Sequence, residues 1–259
     1  MQPLSKNIIK LIRSLEQRKF RRIEGEFVAE GNKLVGDNLG NLTCHRLIAT
    51  RAWWEQHPEA ETMAQECYVV TEAEMERVSL LNSPQEVMGT FLIPREEIAP
   101  AHLAEELRNQ LTVALDEVQD PGNLGTIIRL CDWFGIRHIV CSPTTADCFA
   151  PKVVQATMGA IARVKAHYTP LPELFGEFRK QEVPIYGTFL EGTDIYHTDL
   201  TPHGVIVMGN EGRGISDEVR QWVDRKLFIP PYPANALTSE SLNVGIATAI
   251  CVSEFRRRL

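Results

Sequence analysis

The sequence predicts an α/β protein in two parts, a small α/β/α sandwich followed by a second α/β part with a buried parallel strand. Three observations carry this. Apolar, β-branched runs alternate with helix-patterned segments along most of the chain. The run Val205, Ile206, Val207, Met208 is continuous rather than alternating, as in a parallel strand covered on both faces. That run ends in GNEGRG, with Gly209, Gly212 and Gly214 close together. Ligands of open α/β sheets sit beyond the carboxyl ends of strands, and glycines let a backbone turn tightly and offer its N–H groups. The loop is therefore a candidate binding loop with Glu211 as its one acid, although a turn that merely joins strand to helix has the same composition.

At 259 residues the chain exceeds the usual single domain, so two domains are expected. With 44% hydrophobic and 24% charged residues it falls among globular rather than disordered proteins. No apolar run approaches the roughly 18 residues that span a membrane, and MQPLSKNIIK lacks a signal-peptide core. A cytoplasmic protein without a membrane partner is expected. Cys44, Cys67, Cys131, Cys141, Cys148 and Cys251 include no C-x-x-C pair, which signals neither a zinc site nor a disulfide framework. They read as buried thiols, and no metal is expected.

A net charge of −7 argues weakly against a nucleic-acid partner, but the distribution is uneven. Lys6, Lys10, Arg13, Arg18, Lys19, Arg21 and Arg22 face a single acid, Glu16, in the first 22 residues, and Arg256, Arg257 and Arg258 form a smaller basic end. Each is either a solvated helix face or an RNA contact.

In chain order, Ile8, Ile9, Leu11, Ile12 and Leu15 mark a basic amphipathic helix over 5–18. Strands follow at 27–30, 46–50, 67–70 and 89–93, with helices at 31–39, around Trp53 and Trp54, and from Thr71. Pro94, Pro100 and the polar helix 104–110 read as a linker, which divides the chain into 1–108 and 109–259. Beyond it come a buried strand (111–118), the loop QDPGNLG, and a helix that closes at Gly135 and carries Thr126, Arg129 and Trp133 on one face. A strand (137–143), a helix (150–161), a short strand ARVKAHY, a helix (170–180) and a strand ending at Thr188–Leu190 lead to the glycine loop. After it come a helix at 216–223 capped by Ser216, a strand at 226–233, and a final helix at 241–258 that is apolar almost all round. Such a helix wants its own sheet on one side and a second subunit on the other.

LDEVQDPGNLGTIIR, VIVMGNEGRGIS and IPPYP…SLNVGIATAI, in this order over 111–259, resemble the three motifs of the SpoU/TrmH family of SPOUT-class RNA 2′-O-methyltransferases. The resemblance implies a parallel sheet with helices on both faces, a trefoil knot in its C-terminal part, S-adenosylmethionine held in that knot, and a homodimer through the C-terminal helix. GEFVAEGNKLV is similar to the ribosomal-protein-like substrate-binding domain of the same family. Carried over by position, Asn123, Arg129, Glu211, Ser241 and Asn243 are the catalytic candidates. Gly209, Glu211, Ile229, Leu242 and Thr188 are the cofactor contacts. Two departures stand out: the connection 230–240 is longer than the family's, and Gly245 replaces a frequent second serine.

Methyl transfer from a sulfonium needs the attacking 2′-oxygen positioned and its proton removed. A guanidinium stays protonated, so Arg129 suits a phosphate or ribose-hydroxyl contact better than a base. Ser241 and Asn243 also read as satisfiers of free N–H groups at a helix start, and Glu211 as a loop stabiliser. An oxidoreductase is disfavoured, since GNEGRG lacks the G-x-G-x-x-G order and does not follow the first strand. A non-catalytic RNA-binding module is the other alternative, and tRNA is the alternative substrate to large-subunit rRNA.

Overall fold

The computed structural model describes residues 3–94, 98–233 and 239–258. The chain packs as two units, Met1–Arg95 with Asp147–Arg163, and Glu96–Ala146 with Val164–Leu259. The single cut at 108 expected from the sequence is not the division made by packing, because a segment from the second half packs with the first unit.

The first unit runs α1 (Lys6–Ser14), α2 (Arg18–Glu24), β1 (Glu26–Glu30), α3 (Asn32–Leu39), β2 (Cys44–Thr50), α4 (Arg51–Gln56), β3 (Ala64–Val70), α5 (Glu72–Val78) and β4 (Val87–Leu92). Its sheet has the order β1-β4-β2-β3, with β2 and β3 parallel and the other pairs antiparallel. Val28, Ile48, Tyr68 and Met88 share a core with Ile12 and Leu15 from the N-terminal helical segment and with Met75 and Val78 of α5. Alternate residues point to the other face, where the Phe27 ring lies 5.8 Å from Phe91 and 4.9 Å from Phe149. α5 opens with a complete capping box between Thr71 and Glu74.

The expected single helix over 5–18 is two helices meeting at a corner. The reason is Arg21, which is only 3% exposed: its Nη1 donates to the carbonyls of Leu15 and Glu16, each at 2.7 Å, and its Nη2 donates to Asp147 at 2.6 Å. A side chain from the second helix satisfies the carbonyls that end the first. Arg21 is thus structural, whereas Lys6, Lys10, Arg13, Arg18, Lys19 and Arg22 are exposed.

The second unit contains α6 (Pro100–Leu107), β5 (Leu111–Leu115), α7 (Pro121–Trp133) and β6 (His138–Cys141). The chain then gives α8 (Pro151–Thr157) to the first unit, where it lies against β1. It returns as β7 (Lys165–Tyr168), α9 (Leu171–Lys180), β8 (Ile185–Asp194), β9 (Gly204–Met208), α10 (Asp217–Arg220), β10 (Arg225–Phe228) and α11 (Val244–Arg257). The six strands are parallel, in the order β10-β8-β9-β5-β6-β7. From β5 the chain first builds outward through β6 and β7, then fills the other side with β8, β9 and β10. The order reverses at the β9–β5 pair, where α/β sheets open a crevice.

α6 is not the polar linker that 104–110 suggests. Leu103, Ala104 and Leu107 are buried beside Phe175 and Phe178 of α9, so the helix closes the second core. The C-terminal arginines are also tied down. Arg257 and Arg258 bond the buried Glu254 and hold its carboxyl below its ordinary value, Arg258 also donates to the carbonyls of Ile195, Tyr196 and Thr198, and Arg256 donates to the Phe134 carbonyl. Burial pushes the Cys44 and Cys251 thiols up to about 12. No helix among the described residues is long and apolar enough to cross a membrane.

Candidate functional site

β9 and β5 are adjacent and in register, with Leu115 opposite Met208, so the loops after them start side by side. After β5, Asp120 caps α7: its Oδ1 accepts from the Asn123 amide at 2.7 Å, and Pro121 occupies a first-turn position where no N–H is missed. After β9, residues 209–216 fold into a closed ring, in which Asn210 and Gly214 exchange two backbone hydrogen bonds of 2.9 Å. Closure is so tight that a Cβ on Gly209 would lie 2.2 Å from the Gly214 carbonyl carbon, and Gly214 has φ +71°.

These loops are joined by side chains far apart in sequence. Asn123 Nδ2 donates to Glu211 Oε1 at 2.9 Å, and the Asp120 amide donates to the same oxygen at 3.4 Å. Asn243 Nδ2 donates to Asn123 Oδ1 at 2.8 Å, while Asn243 Oδ1 caps α11 by accepting from the amides of Gly245 and Ile246. Asn243, rather than Ser241, is thus the N-cap of the last helix. The chain Glu211–Asn123–Asn243 links all three sequence motifs. Glu211 Oε2 has no protein partner among the described residues.

A cavity of about 660 Å³ opens beside this chain, and Thr188, Gly209, Glu211, Ile229, Ser241 and Leu242 are among its walls. All five expected cofactor positions therefore line one space, and Ser241 joins them. Thr188 Oγ1 donates to the Val207 carbonyl at 3.1 Å, which pins β8 to the end of β9. The mixture of glycine-loop backbone, apolar Ile229 and Leu242, and acidic Glu211 suits a ligand with a flat apolar part and a cationic part, such as S-adenosylmethionine. Asn123 and Asn243 reach the cavity through Glu211.

Arg129 is placed differently. It lies six residues, or about 9 Å of helix rise, beyond Asn123, is exposed, and makes no hydrogen bond or ion pair among the described residues. Of the longer connection 230–240, residues 234–238 lie outside the described residues. At Gly245 a Cβ would sit 3.2 Å from Asn243 Oδ1 and 3.4 Å from Thr126, so a serine would fit with a small shift.

Sequence reasoning passed over four residues that build the site. Asp116 Oδ2 accepts from the Ser216 amide at 2.7 Å. Glu117 accepts from Asn210 and Arg213, Asn210 Oδ1 in turn accepts from the amides of Gly212 and Arg213, and Asp120 caps α7. Asp-Pro at a helix start and Asn inside a glycine loop are the local signals that mark two of them. Glu117 has φ 59°, a left-handed conformation that costs on the order of 1 kcal/mol for a non-glycine residue.

Residues 110–253 match the family model described as the SpoU rRNA Methylase family, and residues 6–89 match the MRM3-like substrate binding domain. The chain is 29% identical over 245 residues, 94% of each chain, to 23S rRNA (guanosine(2553)-2′-O)-methyltransferase RlmP of Bacillus subtilis strain 168. Its fold is similar to that of a TrmH-family protein from Porphyromonas gingivalis, with a TM-score of 0.89, 42% identity and 100% of both chains covered. It is also similar to an AdoMet-bound rRNA methyltransferase from Sinorhizobium meliloti, with a TM-score of 0.83, 32% identity, and 100% of this chain and 97% of that one covered.

Proposed function

The chain belongs to the SpoU rRNA methylase family, and from that premise we propose that it transfers the methyl group of S-adenosylmethionine to a ribose 2′-oxygen in RNA, with large-subunit rRNA as the substrate. The observation that carries this is the hydrogen-bonded chain Glu211–Asn123–Asn243, whose Glu211 lines the cavity. The rRNA preference rests on the relatives, whose names specify 23S rRNA 2′-O-methylation.

S-adenosylmethionine supplies an electrophilic methyl on a sulfonium when bound. The cavity walls at Thr188, Gly209, Ile229 and Leu242 hold it, and the acid Glu211 favours its positive charge. Asn123 fixes the Glu211 carboxylate through one oxygen, which leaves the other to accept from the ribose hydroxyl. Ser241 and Asn243 orient the ribose. Arg129, permanently charged and with no side-chain partner among the described residues, grips the adjoining phosphate or polarises the hydroxyl. Alignment of this kind accounts for much of the rate without a metal step.

RNA recognition is assigned to residues 1–108 and methyl transfer to 109–259, with the cofactor region tied in a trefoil knot. The working form is a cytoplasmic homodimer. Ile246 near the start of α11 is 53% exposed and Trp133 at the end of α7 is 85% exposed, separate apolar groups on two adjacent helices that a second copy would cover. Light scattering on Ile246→Glu checks this: wild type should be dimeric at micromolar concentration and the variant monomeric.

The chemistry is tested with Arg129→Ala. Calorimetric titration should find S-adenosylmethionine binding intact, while methyl transfer to rRNA falls by at least about 100-fold, the scale of losing one well-placed charge-stabilising donor. Wild-type turnover in this variant removes Arg129 from the mechanism.

A further inference from the structure

We propose that Glu117 is a positioning residue for the cofactor loop, holding residues 209–216 in their binding shape from outside the cavity. This rests on reading the cavity as the S-adenosylmethionine site.

Glu117 follows β5 in the left-handed conformation that glycine adopts most easily. A glutamate in such a place is conformationally unfavourable, so its side chain and its backbone direction must both be used for the choice to be stable. Both are. Its amide donates to Ser142 Oγ at 2.9 Å, which fixes the turn. Its carbonyl accepts from Asn210 Nδ2 at 2.8 Å, and Asn210 Oδ1 receives the amides of Gly212 at 3.0 Å and Arg213 at 3.1 Å. Its carboxylate receives Arg213 Nη2 at 2.6 Å on one oxygen and Thr144 Oγ1 at 3.5 Å on the other.

The glycine loop is thus gripped twice by one residue, once through the turn-forming Asn210 and once through Arg213. Gly212, Arg213 and Gly214 are cavity walls, whereas Glu117 is not. The Arg213 side chain is 68% exposed, so as a simple surface ion pair its bond to Glu117 would contribute little to stability. Its value lies in direction: the pair ties Arg213, and with it the 209–216 loop, to the turn that follows β5. Without the carboxylate, the loop loses one of its two anchors and keeps only the bond from Asn210 Nδ2 to the Glu117 carbonyl.

The test uses the full chain with Glu117→Gln and Glu117→Gly. The first keeps a side chain without the charge, and the second accepts the positive φ without strain. Both should weaken S-adenosylmethionine binding about tenfold by calorimetric titration, the usual scale of a coupled polar pair. Both should raise KM for the cofactor while kcat holds. Amide hydrogen exchange of Gly212 and Arg213 in the ligand-free chain should quicken, and the thermal midpoint should stay within about 2 °C of wild type. Arg213→Gln approaches the pair from the other side and should lose a similar factor, and the double variant Glu117→Gln/Arg213→Gln should lose no more than either alone.

Wild-type affinity in Glu117→Gly overturns the proposal. A lowered thermal midpoint with unchanged exchange in the loop overturns it too, since Glu117 would then be structural only. If wild type itself fails to bind S-adenosylmethionine, the reading of the cavity fails, and the exchange measurement alone decides whether Glu117 orders the loop.

Discussion

In the second unit Glu211, Asn123 and Asn243 are bonded to one another, while in the first unit the side chains of Lys6, Lys10 and Arg22 have no bonded partner among the described residues. Glu211, Asn123 and Asn243 stand 88 and 120 residues apart in the pairs that bond, yet each fixes the next at under 3 Å. Lys6, Lys10 and Arg22 make no hydrogen bond or ion pair among the described residues. The first arrangement is preorganised for a particular geometry, as reaction at one atom requires. The second is an unstructured field of positive charge, which suits a phosphate backbone whose register is set elsewhere. The difference also warns against counting charges, because Arg21 belongs to the basic stretch by sequence and to the core by structure.

Substitutions at neighbouring positions sharpen that contrast. Arg21→Ala should cost about 3 kcal/mol of stability in denaturant unfolding, since it leaves Asp147 Oδ2 facing Arg18 at 4.0 Å instead of Arg21 at 2.6 Å and takes the donor from two carbonyls. The pair Lys19→Ala/Arg22→Ala should change stability by less than about 0.5 kcal/mol. It should instead weaken RNA binding and reduce the slope of log affinity against log salt by about two. A salt slope equal to that of wild type would mean that these cations are only a solvated helix face.

Much of the second unit was legible because its signals are local. The continuous run 205–208 is β9 and the helix closing at Gly135 is α7, whereas the five positions that line one cavity were named by the family resemblance and not by any local signal. The misreadings arose where a distant residue decides the outcome. The corner between α1 and α2 depends on Arg21 reaching back to Leu15 and Glu16 and across to Asp147, and no periodicity in 5–18 reveals it. The 104–110 stretch looks like a linker because its polar side is counted without Leu103, which begins the buried stripe of α6. The helix expected over 150–161 is α8 only as far as Thr157, where the left-handed Met158 ends it, and its transfer to the first unit follows from tertiary packing such as Phe149 on Phe27. Glu117 was invisible for another reason, since a positive φ in a glutamate leaves no mark in composition.

The most direct test of the account is methyl transfer by the full chain to large-subunit rRNA with isotopically labelled S-adenosylmethionine, followed by mapping of alkali-resistant linkages, for wild type and Asn123→Ala. Asn123 is the middle of the chain that joins the three motifs, so its loss leaves Glu211 with only the 3.4 Å bond from the Asp120 amide among the described residues and unties Asn243 from the first motif. The account predicts label at a ribose 2′-oxygen with wild type, and at least about a 100-fold lower rate with Asn123→Ala, while cofactor binding changes little. Label on a base, or undiminished transfer by Asn123→Ala, would contradict it.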